Sequence, residues 1–191
     1  MKKLFGKKIK IAVFISGTGS NLKKLIYFSK NKKSKFMVDL VISNKRHAPG
    51  LIYAKKNKIN YKIYDFKKQI SDEIKILNLV KKRKIKLICL AGFMKILTEK
   101  FIKKFDGKII NIHPSLLPKY KGLNTHFKVL NSNDKYSGCT VHYVNSKLDS
   151  GKVIIQKKVK IFKSDTPKTL QKRILLEEHK LYSKALNMII G

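Results

Sequence analysis

Ile9 to Gly17 (IKIAVFISG) is an almost unbroken apolar run. Such a run suits a strand buried on both faces of a parallel sheet. Helical spacing follows over Asn21–Lys30, and Met37–Ser43 (MVDLVIS) is a second apolar run. Pro49–Asn57 predicts a helix with proline near its first turn. Asn60–Tyr64 predicts a short third strand. Ser71–Lys82 is amphipathic, and three-residue steps predict Ile74, Leu77 and Val80 as its inner stripe. Lys86–Ala91 (KLICLA) predicts a fourth strand. Strand–helix alternation of this kind argues for an α/β sheet with right-handed crossovers.

The second half reads differently. Lys108–His113 (KIINIH), Gly138–Val144 and Lys152–Phe162 predict strands, the last two close enough to pair antiparallel. Thr166-Pro167 opens a long final helix, with threonine as cap and proline at its first position. Leu170, Ile174, Leu181 and Leu186 form its inner stripe. The expected fold class is α/β: one domain over residues 1–191, with a mixed, mainly parallel central sheet flanked by helices. Residues from about 9 to 105 form a Rossmann-like half, and about 108 to 190 a second half.

Composition narrows the class. Hydrophobic residues make up 43% of the 191, enough for a core and against disorder. Cys89 and Cys139 are the two cysteines; both sit in apolar runs without metal spacing, which fits a reduced, cytoplasmic setting. No run approaches the roughly 18 residues of a membrane span. Met1–Ile15 imitates a signal peptide, but it lacks a small-residue cleavage pattern and leads straight into a glycine loop. The net charge is +34 and invites a nucleic-acid reading. Yet Arg46, Arg83 and Arg173 are the only arginines among 45 basic residues, and the lysines are spread along the chain. Base and phosphate readout favours the arginine fork, so the lysines read as a solvated background that also gathers anionic substrates. No specific nucleic-acid partner is expected.

Three stretches carry chemistry. SGTGSN (Ser16–Asn21) follows the first strand and opens a helix, where glycines and backbone N–H groups suit a phosphate. It is not the dinucleotide fingerprint, since Leu22 replaces the third glycine, and it is not a Walker loop. In NIHPSLLPKYKG (Asn111–Gly122), strand periodicity puts Asn111 and His113 on one face at a strand's carboxyl end, and Pro114 keeps His113 extended. An amide beside an imidazole can clamp an oxyanion and carry a proton. In LDSG (Leu148–Gly151), Asp149 reads as a turn residue, or as an acid that would favour imidazolium if placed beside His113. His47, His126, His142 and His179 form no ligand pattern, and no metal is expected. Glu178 reads as part of a solvated helix face.

ISGTGSNL, AGFMKIL, NIHPSLLPKYKGLNTH and VHYVNSKLDSGKVIIQ together resemble phosphoribosylglycinamide formyltransferase, over about Ile9 to Met188. The resemblance implies formyl transfer from 10-formyltetrahydrofolate, a co-substrate and not a tightly bound cofactor, to the amine of glycinamide ribonucleotide (GAR). It implies a catalytic trio of Asn111, His113 and Asp149. Asn111 and protonated His113 would stabilise the oxyanion. Asp149 would raise the His113 pKa and help position water. Gly19, Ser20 and Asn21 would hold the GAR phosphate; Leu175, Leu176, Glu177 and Glu178 would face its ribose. Met94, Lys95, Ile96 and Leu97, with Asn111, Asn145, Ser146, Lys147, Leu148 and Asp149, would line the folate pocket. The implied protein is cytoplasmic, a monomer or homodimer, with small-molecule partners and no membrane partner.

The chain departs from the family at Lys95 (usually arginine), Lys121 (commonly proline) and Asn124 (commonly histidine). A loop with a folate-contacting arginine is shortened near 66–71, where Gln69 or nearby lysines stand, and no C-terminal strand-forming tail follows. Formyltetrahydrofolate deformylase is the alternative, usually with an N-terminal regulatory domain; this chain begins at strand one. Methionyl-tRNA formyltransferase would bring a tRNA-binding domain. A basic nucleic-acid binder is the alternative from another class. A nicotinamide oxidoreductase is disfavoured by Asn44-Lys45, where an acidic ribose anchor should follow the second strand.

Overall fold

The computed structural model describes residues 8–191; the lysines at the start of the signal-like stretch lie outside the described residues. Strands and helices alternate through β1 (Ile9–Ile15), α1 (Ser20–Ser29), β2 (Phe36–Ser43), α2 (Leu51–Lys56), β3 (Asn60–Ile63), α3 (Gln69–Lys82) and β4 (Leu87–Leu90). The chain continues with α4 (Glu99–Lys104), β5 (Lys108–His113), α5 (Thr125–Leu130), β6 (Tyr136–Tyr143), β7 (Val153–Lys160) and α6 (Pro167–Ile190). All seven strands form one sheet, in the order β3-β2-β1-β4-β5-β6-β7. The first five are parallel, and β6 and β7 add antiparallel. This is the mixed, mainly parallel sheet expected.

The apolar strands are buried because helices cover both faces. Ile11, Val13 and Ile15 pack with Leu22 of α1, Leu51 of α2 and Ile174 of α6. Ala12 and Phe14 face the other way, toward Ile76 of α3 and Phe101 of α4. Thr166 caps α6, accepting from the Thr169 N–H, with Pro167 in the first turn. The expected stripe of Leu170, Ile174, Leu181 and Leu186 is buried. Tyr182, on the same helix, donates its buried hydroxyl to the carbonyls of Leu90 (2.9 Å) and Ile110 (3.3 Å).

Helix α3 corrects the periodicity reading. Ile76 and Val80 are its buried core residues and Leu77 packs against that core as expected, while Ile74 is half exposed. Buried Glu73 sets this rotation: its carboxylate accepts from the Thr98 N–H at 2.9 Å, the Thr98 hydroxyl, and the Gln69 amide. A polar anchor thus overrides the apolar spacing. Helices α4 and α5 are additions to the expected elements; at six residues each they are too short to show a period.

The strand order places the site. From β1 the chain runs outward to β2 and β3, then crosses back to β4 on the other side. The loops after β1 and β4 therefore flank a topological switch point, where open α/β sheets bind ligands. They are tied together: Ser16 N–H donates to the Gly92 carbonyl (3.1 Å), and the Ser16 hydroxyl accepts from the Met94 N–H (2.7 Å). Among the described residues no helix is long and apolar enough to cross a membrane.

Candidate active site

A cavity of about 970 Å³ opens above the carboxyl ends of β1, β4 and β5. The glycine loop forms one wall. Gly19 lies at φ 70°, and a Cβ there would stand 2.7 Å from the Gly50 Cα, so this position needs glycine. Gly17 is not so constrained, since a Cβ there would meet nothing within 4 Å. Asn21 enters α1 buried and donates to Glu178 Oε2 at 2.7 Å. Its own Oδ1 has no protein partner among the described residues.

This contact corrects the reading of Glu178 as solvated. Helix α6 folds back over the glycine loop, so Glu178 is buried. Burial pushes its carboxyl up to about 7, against the lowering effect of the Asn21 bond. Helical geometry sorts its neighbours: Lys168, Gln171, Leu175 and Glu178 line the cavity at steps of three and four. Leu176 and Glu177 do not line it. Leu176 points outward and Glu177 pairs with Lys180.

Strands β5 and β6 form the floor. Asn111 and His113 project into the cavity from alternate positions of β5. The segment after them wraps under the site. Thr140 donates to the Ser115 carbonyl and accepts from the Leu117 N–H, and Gln156 donates to the Leu117 carbonyl. His113 Nε2 thereby meets the Tyr120 carbonyl at 2.8 Å.

Asp149 reaches the same floor from the β6–β7 turn, at φ 46°, a left-handed conformation that aspartate tolerates. Its Oδ2 lies 3.3 Å from His113 Nδ1 and accepts the Gly122 N–H at 2.9 Å. Its Oδ1 lies 3.4 Å from Asn111 Nδ2. Burial pushes the Asp149 carboxyl up, but its polar surroundings, the Gly122 N–H among them, outweigh this and hold it below its ordinary range.

The His113 imidazole is shifted down. Burial dominates; the Tyr120 carbonyl and the Asp149 charge pull upward, and His142 and Lys128 push down. The expected influence of Asp149 is present in direction, yet desolvation outweighs it. With Nε2–H given to the Tyr120 carbonyl, Nδ1 turns its lone pair toward a carboxylate. A proton accepted there converts a repulsive contact into a buried ion pair.

The opposite wall carries the remaining candidates. Met94, Lys95, Ile96 and Leu97 after β4 line it, with Asn145, Ser146, Lys147 and Leu148 before Asp149. Met94, Ile96, Leu123 and Leu148 are all more than half exposed and together make an apolar lip. Gln69 lies outside this lining and bridges Glu73 to the Ile96 carbonyl.

Two further histidines belong to the cavity, and ligand spacing along the chain does not reveal either. His126 lines it with Nδ1 unpartnered, and His142 lies buried beside Asn111 and Asp149. His142 is legible only through strand pairing, because Asn111 and His142 lie opposite each other across β5 and β6. A smaller cavity of about 740 Å³ adjoins the site at Phe127 and Pro167 and holds none of the candidate residues.

Known proteins share this arrangement of chain. The family model described as formyl transferase matches residues 9–186. Phosphoribosylglycinamide formyltransferase of Haemophilus influenzae is 41% identical over 91% of this chain and 83% of its own length. The human trifunctional purine biosynthetic protein adenosine-3 is also 41% identical, over 96% of this chain. The chain spans only 18% of that relative's length. The crystal structure of phosphoribosylglycinamide formyltransferase from Brucella melitensis superposes with a TM-score of 0.91, at 38% identity and 97% coverage of both chains. That from Anaplasma phagocytophilum gives 0.90 at 40% identity, covering 96% of this chain and 87% of its own. Fold, motif order and near-complete coverage agree: the chain belongs to the formyl transferase family.

Proposed function

We propose that this chain transfers the formyl group of 10-formyltetrahydrofolate to the amine of GAR, giving formyl-GAR and tetrahydrofolate for purine synthesis. The observation that carries this is the meeting of Asn111, His113 and Asp149 on the floor of a cavity between a phosphate-type glycine loop and an apolar lip. The first half of the chain supplies the phosphate loop, and the second half the reacting groups. Gly19, Ser20 and Asn21 hold the phosphate, and Glu178 accepts from the ribose hydroxyls. The lip of Met94, Ile96 and Leu148 takes the flat pteridine of the co-substrate. We place the reaction in the cytoplasm, where the two buried thiols stay reduced.

The amine attacks the formyl carbon, and the carbonyl π pair moves to oxygen. An Asn111 Nδ2–H donates to this developing oxyanion. Neutral His113 takes the amine proton and becomes an imidazolium paired with Asp149. The oxyanion then collapses, the bond to N10 of the folate breaks, and the proton passes to that nitrogen. One N–H is lost by the amine and one gained by the folate, so no oxidant or external acid is consumed.

The test is folate release followed by absorbance, with and without GAR, in the wild type and in His113→Ala. The expected result is release that requires GAR and falls at least about 10²-fold in the variant. Release without GAR would assign the deformylase reaction instead. No release from folded protein overturns the proposal.

Glu178 adds a pH dependence. Protonated, it is the form burial favours, so its contribution to stability is full below about 4.5 and lost as pH rises through about 7. Ionised, it is the better acceptor for two hydroxyls. GAR affinity in the wild type, divided by that of Glu178→Gln at the same pH, should therefore rise from about pH 6 to 8. The ratio cancels titration of GAR itself. A flat ratio by calorimetry would remove Glu178 from the ribose site.

A further inference from the structure

One buried imidazole of the site has no task in the formyl transfer. His142 is 2% exposed. It stands opposite Asn111 in the β5–β6 register, so both side chains rise from the same face of the sheet. A bulge in the β6–β7 pairing falls at Val141/His142, an irregularity of the kind that re-aims a side chain.

The hydrogen bonds define its tautomer. His142 Nδ1 lies 2.8 Å from the Tyr143 carbonyl oxygen. A carbonyl only accepts, so Nδ1 carries the hydrogen. Nε2 lies 3.3 Å from Asn111 Nδ2, an atom that only donates. Nε2 therefore offers its lone pair. Asp149 Oδ1 is 3.6 Å away, beyond hydrogen-bond reach.

This matters because a carboxamide has two nearly isosteric orientations. One points N–H groups at a neighbour; the other, half a turn away, points its oxygen. Facing an oxyanion, the first attracts and the second repels. The second Asn111 N–H has only the long 3.4 Å contact with Asp149 Oδ1, which leaves it free to turn to a substrate oxygen.

We propose that His142 is a positioning residue: its Nε2 lone pair holds the Asn111 amide nitrogen and keeps an N–H, not the amide oxygen, directed at the formyl oxygen. The proposal rests on the formyl-transfer reading above. His142 acts through Asn111 and exchanges no proton with substrate.

Kinetics separate positioning from packing. His142→Phe keeps the bulk and removes the acceptor; His142→Gln keeps an acceptor oxygen. Expected is a loss in kcat of roughly 10- to 100-fold for phenylalanine, less than removal of an oxyanion donor outright. Both KM values should stay within about three-fold, and glutamine should recover most of the rate. Equal losses in the two variants, or a phenylalanine variant at wild-type kcat, overturn the proposal. A second measurement needs no variant to fold. Nitrogen-15 NMR of the wild-type imidazoles should show His142 with Nδ1 protonated and Nε2 bare. A protonated Nε2 overturns it, whether or not the chain formylates GAR.

Discussion

Asp149→Asn is expected to lower kcat about 10²- to 10³-fold, roughly 3–4 kcal/mol of barrier, in a chain that stays folded. The variant suits the site sterically. Asparagine also tolerates the left-handed backbone at φ 46°, and its oxygen can still accept the Gly122 N–H. What disappears is the charge. Asp149 is the only carboxylate among the causes that shift His113, and it pulls upward. Without it, burial and the neighbouring His142 and Lys128 push the imidazole further down. Uptake of the amine proton then creates an unpaired buried cation. The sign follows for pH as well: the acid limb of kcat/KM, which reports the free enzyme's base, should move to lower pH in the variant. Kinetics from about pH 4.5 to 8.5, with thermal melting as the folding control, decide it. A variant within about three-fold of wild type would remove Asp149 from the reaction.

The second large effect is structural. Gly151→Ala is expected to destabilise the chain by about 3 kcal/mol or more and to displace Asp149. A Cβ at Gly151 would stand 1.7 Å from the Tyr143 carbonyl oxygen and 2.7 Å from its carbon. Both are backbone atoms of the neighbouring strand, so no side-chain rotation relieves the clash. The chain must part where the Tyr143 N–H donates to the Lys152 carbonyl at 2.9 Å. Asp149 is two residues away, in the turn that this bond closes. Melting should fall by roughly 6–12 °C, at about 2–4 °C per kcal/mol for a chain of this size. Gly17→Ala is the contrast: its methyl meets nothing within 4 Å, and its melting point should hardly change. Similar melting for both variants would refute the account of Gly151.

Much of this molecule is legible along the chain because strands and helices are local. The strands over Ile9–Ile15 and Lys108–His113, the Thr166 cap and the glycine loop appear in place, since apolar runs and turn chemistry act within a few residues. The antiparallel pair at the end follows from the short connection between its strands. The facing of helix α3 is not legible this way, because the partner that rotates it is Thr98, 25 residues from Glu73. The burial of Glu178 is hidden for the same kind of reason, since Asn21 lies 157 residues away.

Fold class, the order of elements and the types of reacting residue are thus written in the sequence, since periodicity and short motifs encode them locally. Which of those residues meet is a matter of packing alone. Packing brought Asp149 to His113 and set His142 against Asn111. It chose Lys168, Gln171, Leu175 and Glu178 over Leu176 and Glu177, and it made burial the stronger influence on His113. Such contacts depend on strand order, register and desolvation, which arise when distant segments pack and leave no local trace in the chain.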